Sequence, residues 1–168
     1  MSKCELDEDA GDAFKIGLGK NKVLQELYIN ENNLYDEGVC SLCEALTSNQ
    51  TLHTLNLEDN RIREKGGIAF GQLLKKNIGL KFVNLQSNTI NDNAASIIVE
   101  GLISNNYIKT LKLKMNPISY KYRTEIDTIL STHASRKLKN LQPEIKGKIK
   151  ELRVFEDKKD GVFRKIEE

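Results

Sequence analysis

The sequence has almost no charge bias. Its 26 Lys and Arg stand against 24 Asp and Glu, a formal net charge of +2 over 168 residues, so no bulk field draws it to nucleic acid or an anionic membrane. No apolar run approaches membrane-spanning length, and the opening MSKCELDEDA lacks the pattern of a secretion signal. Cysteine is scarce, with three residues. Without a secretion signal these read as reduced thiols in a protein that works in the cytoplasm. Histidine is scarcer still, with only His53 and His133. No Ser-His-Asp arrangement, carboxylate pair or four-ligand metal set is visible, which argues against catalysis, a metal or a cofactor.

What the sequence does have is repetition. Residues 51–62 read TLHTLNLEDNRI, with Leu52, Leu55, Leu57, Asn60 and Ile62 forming the skeleton L-x-x-L-x-L-x-x-N-x-I. The same skeleton returns at Leu24, Leu27, Ile29, Asn32 and Leu34, then at Leu80, Val83, Leu85, Asn88 and Ile90, and again at Ile108, Leu111, Leu113, Asn116 and Ile118. Four copies in one register, about 28 residues apart, define a repeat protein.

Each copy opens with the period-two pattern of a strand that has one buried face, as Leu55 and Leu57 alternate with Thr54, Asn56 and Glu58. The asparagine then turns the chain out of the sheet, because its amide both donates to and accepts from backbone groups that a buried bend leaves unpaired. A helix makes the return. Val39, Leu42 and Leu46 recur as Gly67, Phe70 and Leu74, as Ala95, Ile98 and Leu102, and as Arg123, Ile126 and Leu130, one face at i, i+3, i+7. Small residues (Gly38, Gly66, Gly67, Ala94, Ala95) precede each helix and permit close approach or a tight turn. Asn49, Asn77 and Asn105 fall just past the helix ends, where asparagine tolerates a left-handed stop.

The repeat length and the helix Gly38-Val39 to Leu42-Cys43-Glu44-Ala45-Leu46 resemble the ribonuclease-inhibitor-like leucine-rich repeat family. The resemblance implies an α/β solenoid, with parallel strands on the concave face and helices on the convex face. It covers about four full repeats plus an N-terminal half-repeat in which Cys4 stands at the turn position and Gly11, Phe14 and Leu18 match the helical face. That first helix is either a cap or part of a longer solenoid. The expected organisation is a half-repeat over 1–23, repeats over 24–134 and a basic extension over 135–168. From Arg136 onward there are eleven Lys or Arg against seven Asp or Glu. Ile145, Ile149 and Leu152 there recur at helical spacing, so the extension is expected to cover the far end of the solenoid or to dock on a partner. The near strand edge, Glu26 to Asn30, is expected to need cover.

Strand alternation places Glu26, Tyr28, Asn30, Glu58, Phe82, Asn84, Lys112 and Lys114 on the concave face. This face grades from acidic (with Glu31 and Asp59) to basic (with Lys109), and it carries Tyr28 and Phe82 as aromatic anchors. Polar strand positions on a solvated face account for much of this pattern, and a protein-binding surface accounts for the rest. The resemblance implies a non-catalytic interaction module or scaffold subunit in a larger complex, of the cytoskeletal or ciliary kind, with no small-molecule substrate. The alternative it implies is a small-GTPase regulator similar to the Ran GTPase-activating protein. Against that, the tail here is basic where that family's is acidic. Interleaved acids and the absence of an aromatic platform argue against nucleic acid.

Smaller motifs have plain readings. Cys40-x-x-Cys43 lacks two further zinc ligands nearby and reads as buried packing. Gly17-Leu18-Gly19-Lys20 lacks phosphate-loop spacing and reads as a loose turn. Asn49-Gln50-Thr51 has the form of a glycosylation sequon only.

Overall fold

The computed structural model describes residues 4–7 and 9–135. Helices and strands alternate as α1 (Ala10–Lys20), β1 (Glu26–Tyr28), α2 (Tyr35–Ser48), β2 (Thr54–Asn56), α3 (Glu64–Leu74), β3 (Phe82–Asn84), α4 (Asp92–Ser104) and β4 (Thr110–Lys112). Residues 120–135 form a further helix, α5. The four strands make one parallel sheet in chain order, and each pairs with the residue one period on: Leu27 with Leu55, Leu55 with Val83, Val83 with Leu111. The 28-residue spacing read from the sequence is therefore the sheet register itself. The chain is an α/β solenoid within its first unit, Met1–Ser131. Of the second unit, only residues 132–135 are described.

The core lies between the sheet and the helices. Ile29, Leu34, Leu52, Leu57, Ile62, Leu80, Leu85 and Ile90 are fully buried, so every apolar position of the skeleton from Leu24 to Ile118 is inside except Leu24 itself, which is partly buried. The helical face agrees for Val39, Leu42, Leu46, Phe70, Leu74, Ala95, Ile98 and Leu102. It fails at Arg123, which is exposed and donates through Nη2 to the Asn116 carbonyl at 3.0 Å. A guanidinium cannot be buried without a charge partner, so this position caps the turn.

The turn asparagines form a ladder. Asn88 Nδ2 donates to the carbonyls of Leu57 (3.0 Å) and Leu85 (3.1 Å), while its Oδ1 accepts from Asn60 N and Ile62 N, both at 3.0 Å. Asn116 repeats the pattern toward Leu85 O and Ile90 N. Asn32 extends it backward, accepting from Cys4 N and Leu6 N, which places Cys4 at the turn position of the half-repeat. One rung is missing. Asn60 donates to Ile29 O and Glu58 O, but its buried Oδ1 has no partner. The loop after Asn32 takes another path: Asn33 N bonds Leu6 O, Asn32 N bonds Asp59 O, and left-handed geometry falls at Tyr35, whereas the next repeat has it at Arg61.

Immediately before each ladder residue, Glu31, Asp59, Ser87 and Met115 have φ of 57°, 52°, 54° and 58°. None is glycine. Left-handed geometry costs such residues roughly 1 kcal/mol, and the buried amide bonds that follow offset it. The period aligns these four residues in one column but carries no sign of their left-handed geometry.

The helix-end asparagines correct the sequence reading. Asn49 and Asn105 are not left-handed stops; their φ values are −88° and −103°, and Asn77 is not among the residues of positive φ. They build a second ladder. Asn77 Nδ2 donates to Leu46 O (2.7 Å) and Asn49 O (2.9 Å), and its Oδ1 accepts from Leu80 N (2.8 Å). Asn49 and Asn105 do the same one repeat away. All three are buried, so the sequon asparagine is out of reach of any modifying enzyme. The small residues lie inside the helices, in their first turns, where they permit close approach: a β-carbon added at Gly67 would stand 2.7 Å from the β-carbon of Ala94. Gly17 to Lys20 is the last turn of α1, not a loose turn.

Two stability predictions follow from the ladder and the core. Asn88→Ala should destabilise more than Asn60→Ala, by about 1 kcal/mol or more, because only Asn88 leaves two buried N–H donors unpaired. Urea unfolding of the two variants side by side measures the difference. Leu55→Ala, at a site 1% exposed, should cost about 2–5 kcal/mol in the same experiment.

Candidate functional site

The sheet register sets the geometry of the concave face. Pairing aligns Glu26, Thr54, Phe82 and Thr110 in one row, and Tyr28, Asn56, Asn84 and Lys112 in a second. Strands about 4.8 Å apart make each row roughly 14 Å long. Within each strand the leucine or valine between these two positions is buried, so the rows are the surface that the fold leaves outside.

Four local pairings order this surface. Tyr28 Oη donates to Glu26 Oε2 at 3.0 Å, and that bond, followed by desolvation and the carboxylate charge, pushes the phenol pKa up. Asn84 Nδ2 donates to Glu58 Oε2 at 2.8 Å, and Asn56 Nδ2 reaches Asn30 Oδ1 at 3.4 Å. Lys109 Nζ lies 5.5 Å from the centre of the Phe82 ring, a cation–π contact between β3 and the residue that leads into β4.

Tyr28 and Phe82 are 46% and 43% exposed, two aromatic rings on the solvent side of one sheet. The structure brings together Glu26 with Tyr28, Glu58 with Asn84, and Phe82 with Lys109. It leaves Lys112 and Lys114 exposed at the β4 end, away from the acidic group of Glu26, Glu58 and Asp59. The Lys109–Phe82 contact escaped the sequence reading. Lys109 precedes the strand, and only the register brings it beside a residue 27 positions earlier.

A second polar cluster lies where strands lead into helices. Arg61 Nη1 donates to Tyr35 Oη at 2.7 Å and stands 5.6 Å from that ring's centre. Asp36 Oδ1 accepts from Arg63 N (2.7 Å) and Gly66 N (2.9 Å), so it caps α3 from the preceding repeat. Glu37 pairs with Lys65 at 3.2 Å; its own backbone N–H, then Lys65, lower the carboxyl pKa. These bonds hold neighbouring repeats together and leave only a shallow cavity of about 160 Å³ lined by Tyr35, Asp36, Glu37, Arg61 and Arg63.

Among the described residues no group of His, Cys, Asp and Glu is placed to hold a metal, and no helix is long and apolar enough to cross a membrane. Cys43 is buried and Cys40 partly so, and desolvation raises both thiol pKa values. Thiolate chemistry is suppressed there.

Comparison with known proteins agrees with this architecture. A family model described as "Leucine Rich repeat" matches residues 20–43 and 48–71. A solved structure titled "Leiomodin-1 Actin-Binding Site 2 (ABS2)" superposes with a TM-score of 0.73 at 19% identity, over 87% of this chain and 86% of that one. The tropomodulin C-terminal domain from Caenorhabditis elegans aligns with a TM-score of 0.49 at 15% identity, over 78% and 98%. Among curated proteins, none matches the sequence.

The cysteine environments set an order of reactivity. In the native protein, exposed Cys4 should react with a thiol reagent first, Cys40 slowly, and Cys43 only on unfolding. Peptide mapping after timed alkylation measures this, and early labelling of Cys43 would contradict its burial.

Proposed function

Taking the chain as a leucine-rich repeat solenoid, we propose that it is a protein-interaction module whose partner docks on the concave sheet, anchored at Tyr28 and Phe82 between an acidic and a basic side. The observation that carries this reading is the pair of half-exposed rings. Exposing aromatic surface forfeits its burial, and aromatic residues are the commonest anchors at protein interfaces. Lys109 against Phe82 and Glu26 against Tyr28 hold both rings in place before a partner arrives, which lowers the ordering cost of binding. The opposed charges orient the partner and reject the reversed pose.

The finer reading is a scaffold subunit of a cytoskeletal assembly in the cytoplasm. Likeness in fold to a domain described as an actin-binding site supports trying actin first. The basic residues from Arg136 onward, which lie outside the described residues, give the partner a second and salt-sensitive contact.

Co-sedimentation of the full chain with actin filaments, and cross-linking in a cell extract, test the two levels separately. Phe82→Ala should weaken the partner complex about thirtyfold, the loss of roughly 2 kcal/mol at an anchor, with no change in the unfolding midpoint. Binding that survives Phe82→Ala and Tyr28→Ala together would remove the concave face from the reading. Absence from the actin pellet would remove actin and leave the face in place.

A further inference from the structure

The two ends of the helical layer differ in a way the repeat pattern makes readable. Each inner helix has one side toward the helix before it and one toward the helix after it. The side toward the following helix carries Gly67 and Gly71, where added β-carbons would meet Ala94 and the Ile97 backbone. The opposite side carries Gly66 and Gly101, where they would meet Asp36 and Leu74 of the preceding repeat.

At α5 the forward positions, one period after Ala95 and Val99, are Arg123 and Asp127, both exposed. Charges there refuse another helix, and the core residue Ile126 beside them is already 3% exposed. At α1 the backward positions are Ala10, Ala13, Phe14 and Gly17, one helical face at i, i+3, i+4, i+7. None is charged. Gly17 has no neighbour within 4 Å of an added β-carbon. Phe14 is only partly buried, while Leu42, Phe70 and Ile98 at the same position are at most 1% exposed. The face has the make-up of an inner helix contact, but among the described residues no helix lies on it.

We propose that this face binds the same face of a second copy, α1 against α1, antiparallel about a two-fold axis. The face complements itself only in that direction. With the axis between Ala13 and Phe14, small Ala13 meets large Phe14 of the partner, Ala10 meets Gly17, and exposed Asp7 meets exposed Lys20. Parallel pairing would set Asp7 against Asp7 and Lys20 against Lys20. Glycine and alanine at the crossing let the helix axes approach closely, and a two-fold contact closes on itself, giving a dimer and not a filament. One helix face per copy is a small interface, so the dimer is of modest affinity.

Sedimentation equilibrium of the full chain over a range of concentrations tests this. The wild type should reversibly dimerise. Gly17→Arg should remain monomeric with an unchanged melting curve, since the added side chain enters open space. Asp7→Lys and Lys20→Asp should each weaken the dimer about tenfold, and the double variant should restore it, because each copy then presents the reversed pair. A monomeric wild type at the highest concentration would overturn the proposal, as would a dimer indifferent to Gly17→Arg. Failure of the charge reversal to restore binding would overturn the antiparallel register.

Discussion

The fold depends on how a buried carboxamide completes the hydrogen bonds of a chain that turns sharply inside its own core. Each repeat must leave the sheet within a few residues, and the bend strips backbone N–H and C=O groups of partners where water cannot reach. Asn32, Asn60, Asn88 and Asn116 answer this at the strand ends, and Asn49, Asn77 and Asn105 at the helix ends. Seven buried asparagines in two columns link each repeat to the one before it. The left-handed residues ahead of the first column are tolerated because those bonds hold them. The common spacing of 28 residues is what allows every amide to meet the same groups in its neighbour.

Much of this was legible in the sequence because the skeleton residues are chosen by burial, and burial repeats. Leu55, Leu57 and Ile62 read as core and are core; Cys4 read as a turn residue and bonds Asn32. The failures have physical causes. Asn49, Asn77 and Asn105 read as stops because position alone cannot distinguish a helix terminator from an amide that reaches back into the preceding repeat. Arg123 was expected on the buried face because periodicity carries no information about whether a further helix follows. On the concave face, alternation assigned the outward side of each strand, but partnerships such as Lys109 with Phe82 depend on register and rotamer together. The expectations for residues beyond 135, including the helical stripe of Ile145, Ile149 and Leu152, lie outside the described residues. So does any pairing of residues 1–3 with β1, on which the expected need for cover of that edge turns.

The concave and helical layers divide the work. Inside, apolar side chains and amides are fixed by the period and leave little room to vary. Outside, the positions between buried strand residues are unconstrained by the core, so they are free to carry charge and aromatic surface. The same division separates the two ends of the helical layer, where forward positions end in charge on α5 and backward positions stay apolar on α1.

The unpaired oxygen of Asn60 has a consequence for how the molecule comes apart. In a stack where each unit touches only its neighbours, rupture starts at the junction with the least cross-linking. The junction between Asn32 and Asn60 lacks the amide acceptor bonds that join Asn60 and Ile62 to Asn88. The bonds of Asp36, Arg61 and Lys65 cross this same junction instead, so a tensile load along the stack is carried there by exposed polar pairs, which water weakens, and not by a buried amide acceptor.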